Sequence, residues 1–188
     1  MKTLPKSEKI TRYLKDVFDV TGNAIITGAL MERIKNQEGL VHLLIDCEIP
    51  PNYKFEWGGI NNSSFSGFLI QFLHTFRQEK DVLFLFVKSN SLKSYPCWDW
   101  IPERNVVFCD KHPFYFATPF DSDEYLQATL RRSGNAGPSF GLIVKGNYVF
   151  SEWQDITKST LRKILKDTLA IIATVFDDEA YLVYEFQK

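Results

Sequence analysis

The chain lacks any long apolar run. Its longest uninterrupted stretch, Val82 to Val87, falls far short of the ~20 residues that cross a bilayer as a helix. It lacks an excess of charge of either sign, since 22 Lys and Arg meet 23 Asp and Glu for a formal net charge of -1. No overall field therefore recruits nucleic acid or an anionic membrane. Cysteine is scarce and odd in number, at Cys47, Cys97 and Cys109. Such usage fits reduced thiols in a cytosol better than a disulfide framework. The opening Met1 to Phe18 is studded with Lys and Arg and has no continuous apolar core. It does not read as a secretory signal, and Glu8 and Asp16 argue against a transit peptide. The expectation is a soluble cytoplasmic protein without membrane contact.

Several motifs are also missing. There is no GxGxxG and no GxxxxGK[ST] to cradle a nucleotide, and no GxSxG or HExxH. No segment carries a recognisable family signature.

What is present is an ordinary apolar fraction, 45%, with an unusual aromatic content of 16 Phe, 8 Tyr and 4 Trp in 188 residues. That length favours one domain with one sizeable core. Ile10, Tyr13, Leu14, Val17 and Phe18 form one helical stripe, with Ser7 placed to cap it and Gly22 to end it. A second helix is expected from about Asn23 to Gln37, with Ile26, Leu30 and Ile34 inward and Gly39 as terminator. Leu40 to Ile49 reads as a buried strand closed by Pro50 and Pro51. Phe68, Leu69, Phe72, Leu73 and Phe76 form another helical face. Strands are expected over Asp81 to Lys88, Asn105 to Asp110 and Phe114 to Ala117, and a helix from Asp121 to about Arg132. Phe140 to Val144 and Tyr148 to Trp153 flank Lys145-Gly146-Asn147 and read as a hairpin. A long helix is expected from Ser159 through Phe176, and Tyr181 to Phe186 alternates as a final strand.

This order specifies an α+β fold: a single domain over residues 1–188, a mixed β-sheet flanked by helices, with 1–38 as a helical N-terminal segment packed on it. The alternative is a three-layer α/β arrangement. A helix between the first two strands implies a crossover, so these strands would run in parallel.

Parallel strands place their carboxyl ends on one edge of the sheet. The segments leaving that edge, Pro50 to Ser63 and Ser89 to Arg104, are much longer than the usual ~4–6 residues of a connection. Both are aromatic. Tyr53, Phe55 and Trp57 lie in the first, and Tyr95, Trp98 and Trp100 in the second. Two readings stay open: these side chains fold back over the core, or they form a recognition surface with Glu56, Asp99 and Glu103 as polar companions. Tyr95-Pro96-Cys97-Trp98-Asp99-Trp100-Ile101-Pro102 is the centre of that surface. Proline at either side stiffens it, and an extended backbone sends Trp98 and Trp100 to one face and Asp99 to the other. The partner-binding set is therefore Tyr53, Trp57, Tyr95, Trp98, Asp99, Trp100 and Glu103.

A chemical alternative uses Asp46, Glu48, Asp110 and His112. Asp46 and Glu48 share a strand face at the same edge and would bind a divalent ion with Asp110. Cys109-Asp110-Lys111-His112 brings a thiol, a carboxylate and an imidazole to one strand end. The blander reading packs Cys109 in the core and makes His112 a turn residue. His42 and Cys47, five apart on a strand, face opposite sides and do not ligate together. No metal or cofactor is expected. In the last expected helix, Lys158, Arg162, Lys163 and Lys166 crowd the beginning while Asp177, Asp178 and Glu179 crowd the end, against the macrodipole.

The leading functional expectation is a protein-binding domain, in its most concrete form a bacterial immunity or antitoxin-like inhibitor that captures a toxin through the aromatic loops. The alternative is a hydrolase or transferase acting on a phosphorylated or nucleotide substrate at the same edge.

Overall fold

In the computed structural model of the chain, the described residues are 2–19, 21–45, 82–88, 106–110, 112–117, 138–146, 148–151, 154–175 and 180–187. The expected helices over 68–76 and 121–132 lie outside them.

Both ends of α1 and the start of α2 fall where the sequence signals them. Ser7 accepts from the Ile10 N–H at 3.3 Å at the start of α1 (Glu8–Asp19). Gly22, at φ 67°, turns the chain after it and donates to the Asp19 carbonyl. Asn23 then caps α2 (Ala24–Asn36) through its side-chain oxygen, 3.0 Å from the Ile25 N–H. The stripes Leu14–Phe18 and Ile26–Leu30–Ile34 are completely buried.

Gly39 has a different role from the expected helix stop. α2 has already ended at Asn36, and Gly39 opens β2 (Gly39–Ile45). The ring of Tyr184 crosses above it so closely that an added Cβ would fall 2.4 Å from two ring carbons.

Eight described strands form one sheet. They are β1 (Lys2–Leu4), β2, β3 (Val82–Lys88), β4 (Val106–Cys109), β5 (His112–Ala117), β6 (Pro138–Lys145), β7 (Thr168–Val175) and β8 (Ala180–Phe186). Their order is β1-β2-β8-β7-β6-β3-β5-β4. With α3 (Lys158–Lys166) and the two earlier helices, this is an α+β fold.

The sheet corrects the expectation of a mixed arrangement, because every described strand pairing is antiparallel. β2 and β3 do run in the same direction, but β8, β7 and β6 lie between them. The strands between them come from the C-terminal part of the chain. The segment 1–38 is likewise not wholly helical, since β1 pairs with β2 through Thr3 and His42.

Two further corrections concern the C-terminal third. The expected helix from Ser159 to Phe176 stops at Lys166, and Asp167 turns the chain into β7. Thr168, Ile171, Ile172, Thr174 and Val175 are β-branched and suit a pleated surface. The ending at Lys166 also eases the dipole conflict, leaving Lys158 as the cation in the first turn. Lys163 and Lys166 now occupy the last turn of α3, where cations are favourable. The expected hairpin around Gly146 is absent among the described residues. β6 pairs with β3 and β7, and residues 148–150 are not in a strand.

One face of the sheet carries a continuous apolar row. Leu4, Val41, Tyr184, Ile171, Leu142 and Leu85 are successive cross-strand partners from β1 to β3. The last five are at most 1% exposed. The three described helices pack on this side, where Leu161, Ile164 and Leu165 of α3 join Leu14, Phe18, Ile26, Leu30 and Ile34 in the same cluster. Truncating one such leucine to alanine costs roughly 2–5 kcal/mol. On the opposite face Val82, Ile143, Ala170, Ile172 and Val183 are also buried.

Candidate functional site

Directions within the sheet decide where the candidate segments begin. With every neighbour antiparallel, β2, β7, β3 and β4 point the same way. Ile45, Lys88 and Cys109 therefore finish at one end of the sheet. At ~4.8 Å per strand, β2 and β3 are about 19 Å apart across the sheet, β3 and β4 about 10 Å, and β2 and β4 about 29 Å. Asp46 and Glu48 follow Ile45, as do Tyr53 and Trp57. Tyr95, Trp98, Asp99, Trp100 and Glu103 follow Lys88. All nine lie outside the described residues, and so do Cys47 and Cys97.

The third strand end is described in detail. Cys109 and His112 are cross-strand partners where β4 gives way to β5. Asp110 sits at φ 54°, a left-handed conformation that short polar residues tolerate best after glycine. Its exposed carboxylate is 3.2 Å from Lys158 Nζ at the start of α3. The outer edge of β4 is covered by residues 154–156. Phe108 donates to the Gln154 carbonyl at 2.8 Å and accepts from the Ile156 N–H at 2.6 Å. Thr157 then caps α3 by accepting from the Thr160 N–H. A strap thus ties β4 to the helix that supplies the partner of Asp110.

Cys109 is 1% exposed. Burial first, then the neighbouring carboxylates of Asp110 and Asp155, push its thiol up from the ordinary value. It is a core side chain held in the thiol form. His112 belongs to β5, paired opposite Cys109.

Two polar clusters had no sequence signal. At the other end of the sheet, Arg33 on α2 donates through Nη1 to the carbonyls of Leu165 and Thr168, at 2.7 and 2.8 Å. Burial lowers its pKa, opposed by Asp167 and Tyr184. Beside it the Tyr148 hydroxyl donates to Asp167, and Lys163 Nζ lies 5.7 Å from the centre of the Tyr148 ring. These groups satisfy the C-terminal end of α3 and its turn into β7. On the face away from the helices, His42 Nε2 lies 3.0 Å from Glu185 Oε2. All these partners are brought together by tertiary packing, and none of the pairs has a characteristic spacing in the chain.

Comparison of the chain with models of known families, with curated proteins and with solved structures gives no significant match. Chemistry therefore rests on the geometry. Among the described residues no three His, Cys, Asp or Glu side chains gather to hold a metal ion, and no helix is long and apolar enough to cross a membrane.

Proposed function

We propose that the chain is a cytoplasmic protein-binding domain, most concretely a bacterial immunity or antitoxin-like inhibitor. It captures a partner protein with the aromatic residues Tyr53, Trp57, Tyr95, Trp98 and Trp100, helped by Asp99 and Glu103. The observation that carries the reading is the shared direction of β2 and β3. Both aromatic segments start from one end of the sheet, at points about 19 Å apart. Such spacing suits a patch of protein-interface size, about 800 Å² per partner. Aromatic anchors dominate the energetics of such patches.

The spacing weighs against the hydrolase or transferase reading. Asp46 follows a strand about 29 Å across the sheet from the one that precedes Asp110 and His112. A single metal or acid–base centre needs its carboxylates within a few ångströms. Asp110 is also engaged by Lys158.

The test is affinity capture from the native cell with the wild-type chain and the Trp98→Ala/Trp100→Ala variant, followed by titration of the captured protein. Loss of ~2 kcal/mol or more in binding, with unchanged circular dichroism, supports the reading. Equal affinity of the two forms removes these tryptophans from the interface.

A further inference from the structure

Among the described residues, the helix-facing side of the sheet is incompletely covered at one corner. Leu4, Ile10, Tyr13, Leu43 and Leu182 line a groove of about 460 Å³ there, with Lys9 at its rim. Leu43 and Leu182 are direct cross-strand partners. Two residues further along the same strands, Val41 and Tyr184 are completely buried, whereas Leu43 keeps partial exposure. The volume falls in the range of small-ligand sites, about 300–1,000 Å³. Its polar groups are few: the Ser7 hydroxyl, already accepting from the Ile10 N–H, the tip of Tyr13, and the Lys9 ammonium.

Two features narrow the occupant. The groove borders β1, the outer strand, but β1 has only three residues, carries Lys2 and runs into Pro5. Short length, lysine and proline are what blunt an edge against an added strand, so an extended peptide is disfavoured. Lys9 is exposed and makes no ion pair among the described residues. A cation at the rim of an apolar cleft complements a ligand with an apolar chain and one anionic end.

The geometry points to a binding site for a free single-chain amphiphile with a carboxylate head, its chain against Leu43 and Leu182 and its head group beside Lys9. Lengthening the chain strengthens binding about fourfold per methylene until the groove is full. Reversing the rim charge weakens a carboxylate about five- to tenfold and favours a cationic head instead.

The experiment is calorimetric titration of the full chain with octanoate, decanoate and decyltrimethylammonium below their micellar concentrations. The wild type is compared with Lys9→Glu, Ile10→Trp and, as a control on another helix, Lys35→Glu. The expected result is saturable 1:1 binding that prefers decanoate over octanoate and over the cationic amphiphile. Lys9→Glu inverts the head-group preference, Ile10→Trp blocks binding, and Lys35→Glu behaves as wild type. Absence of saturable binding overturns the proposal. So does an unchanged head-group preference in Lys9→Glu, a surface substitution whose fold is confirmed by circular dichroism. An Ile10→Trp form that folds and binds decanoate like the wild type overturns the groove as its place.

Discussion

Arg33 on α2 lies over the ring of Phe186 on β8, its guanidinium carbon 3.8 Å from the ring centre. The same group donates to the carbonyls of Leu165 and Thr168 and, through Nε, to Gln37 Oε1. One half-buried cation therefore joins α2, the end of α3 and the last strand. Replacing it by methionine keeps much of the apolar stem but leaves two carbonyls without their charged donor. Such hydrogen bonds contribute about 1.5–3 kcal/mol, so Arg33→Met is expected to lose about 2 kcal/mol in urea unfolding. Arg33→Lys recovers only part, because an ammonium cannot reproduce the planar stacking and the fork of donors. A loss below ~0.5 kcal/mol for Arg33→Met would show that the staple is replaced by water.

Two glycines give opposite predictions. A Cβ at Gly39 meets the Tyr184 ring at 2.4 Å, and Tyr184 is completely buried, so the ring has nowhere to move. Gly39→Ala is expected to destabilise by roughly 1–3 kcal/mol. Combined with Tyr184→Leu, the two costs fall short of additivity because the clash disappears with the ring. Gly28 is exposed within α2, and its Cβ would meet nothing within 4 Å. Gly28→Ala is expected to stabilise by about 0.5–1 kcal/mol, because alanine restricts the unfolded chain and suits the helix. Denaturant midpoints at constant m-value check both.

These contrasts show what a one-dimensional reading can reach. Ser7, Gly22 and Asn23 act on neighbours within a few residues, so the limits of α1 and the start of α2 were readable from the chain. So was β3, because Val82 to Val87 is short, bulky and continuous. The boundary at Asp167 was not, since Leu161, Ile164 and Leu165 are followed by Thr168, Leu169 and Ile172 at spacings that continue a helical stripe. A strand with apolar side chains on both faces satisfies almost any period. The β-branched content of 168–175 held the contrary signal. β1 was missed because Leu4 is paired with Val41, a long-range contact that no local pattern encodes. The role of Gly39 depends on Tyr184 in the same way. For the candidate site, the shared direction of β2 and β3 was readable and their separation was not. Separation depends on which strands intervene, and those come from the far end of the chain.

Tyr148 and Asp167 supply a pH-dependent prediction. Burial, then the hydrogen bond to Asp167 and its negative charge, raise the Tyr148 phenol above its ordinary value of 10.0. A raised value means that the fold favours the protonated phenol. Its stabilising contribution is fully present below about pH 10 and is lost as pH rises beyond that through the folded-state value. Tyr148→Phe is therefore expected to cost about 1 kcal/mol near neutral pH, and its deficit relative to wild type shrinks in strong alkali. Tyr184, also raised by burial, is common to both forms and cancels in the difference. Urea unfolding of the pair across this range checks the sign, and a deficit that widens above pH 10 contradicts the assignment.

Cys109 tests the closure of the β4 edge. Its side chain is 1% exposed, and residues 154–156 cover the strand that carries it. Burial and the adjacent Asp110 and Asp155 hold it as the thiol, whereas the thiolate is the reactive form. Modification must therefore wait for an opening that both exposes and ionises the group. In a Cys47→Ser/Cys97→Ser background, labelling of Cys109 by a disulfide reagent is expected to be orders of magnitude slower than that of a free thiol. It should accelerate in urea in step with unfolding. Asp155→Pro removes neither the Gln154 carbonyl that accepts from Phe108 nor the Ile156 N–H that donates to it, but it strains the strap, whereas deleting the Lys158 contact by Lys158→Ala loosens its far end. Faster labelling in Lys158→Ala at unchanged global stability would locate the opening in the strap. Rapid labelling of the unmodified strap in native buffer would instead show that β4 is an open edge, freely accessible at Cys109.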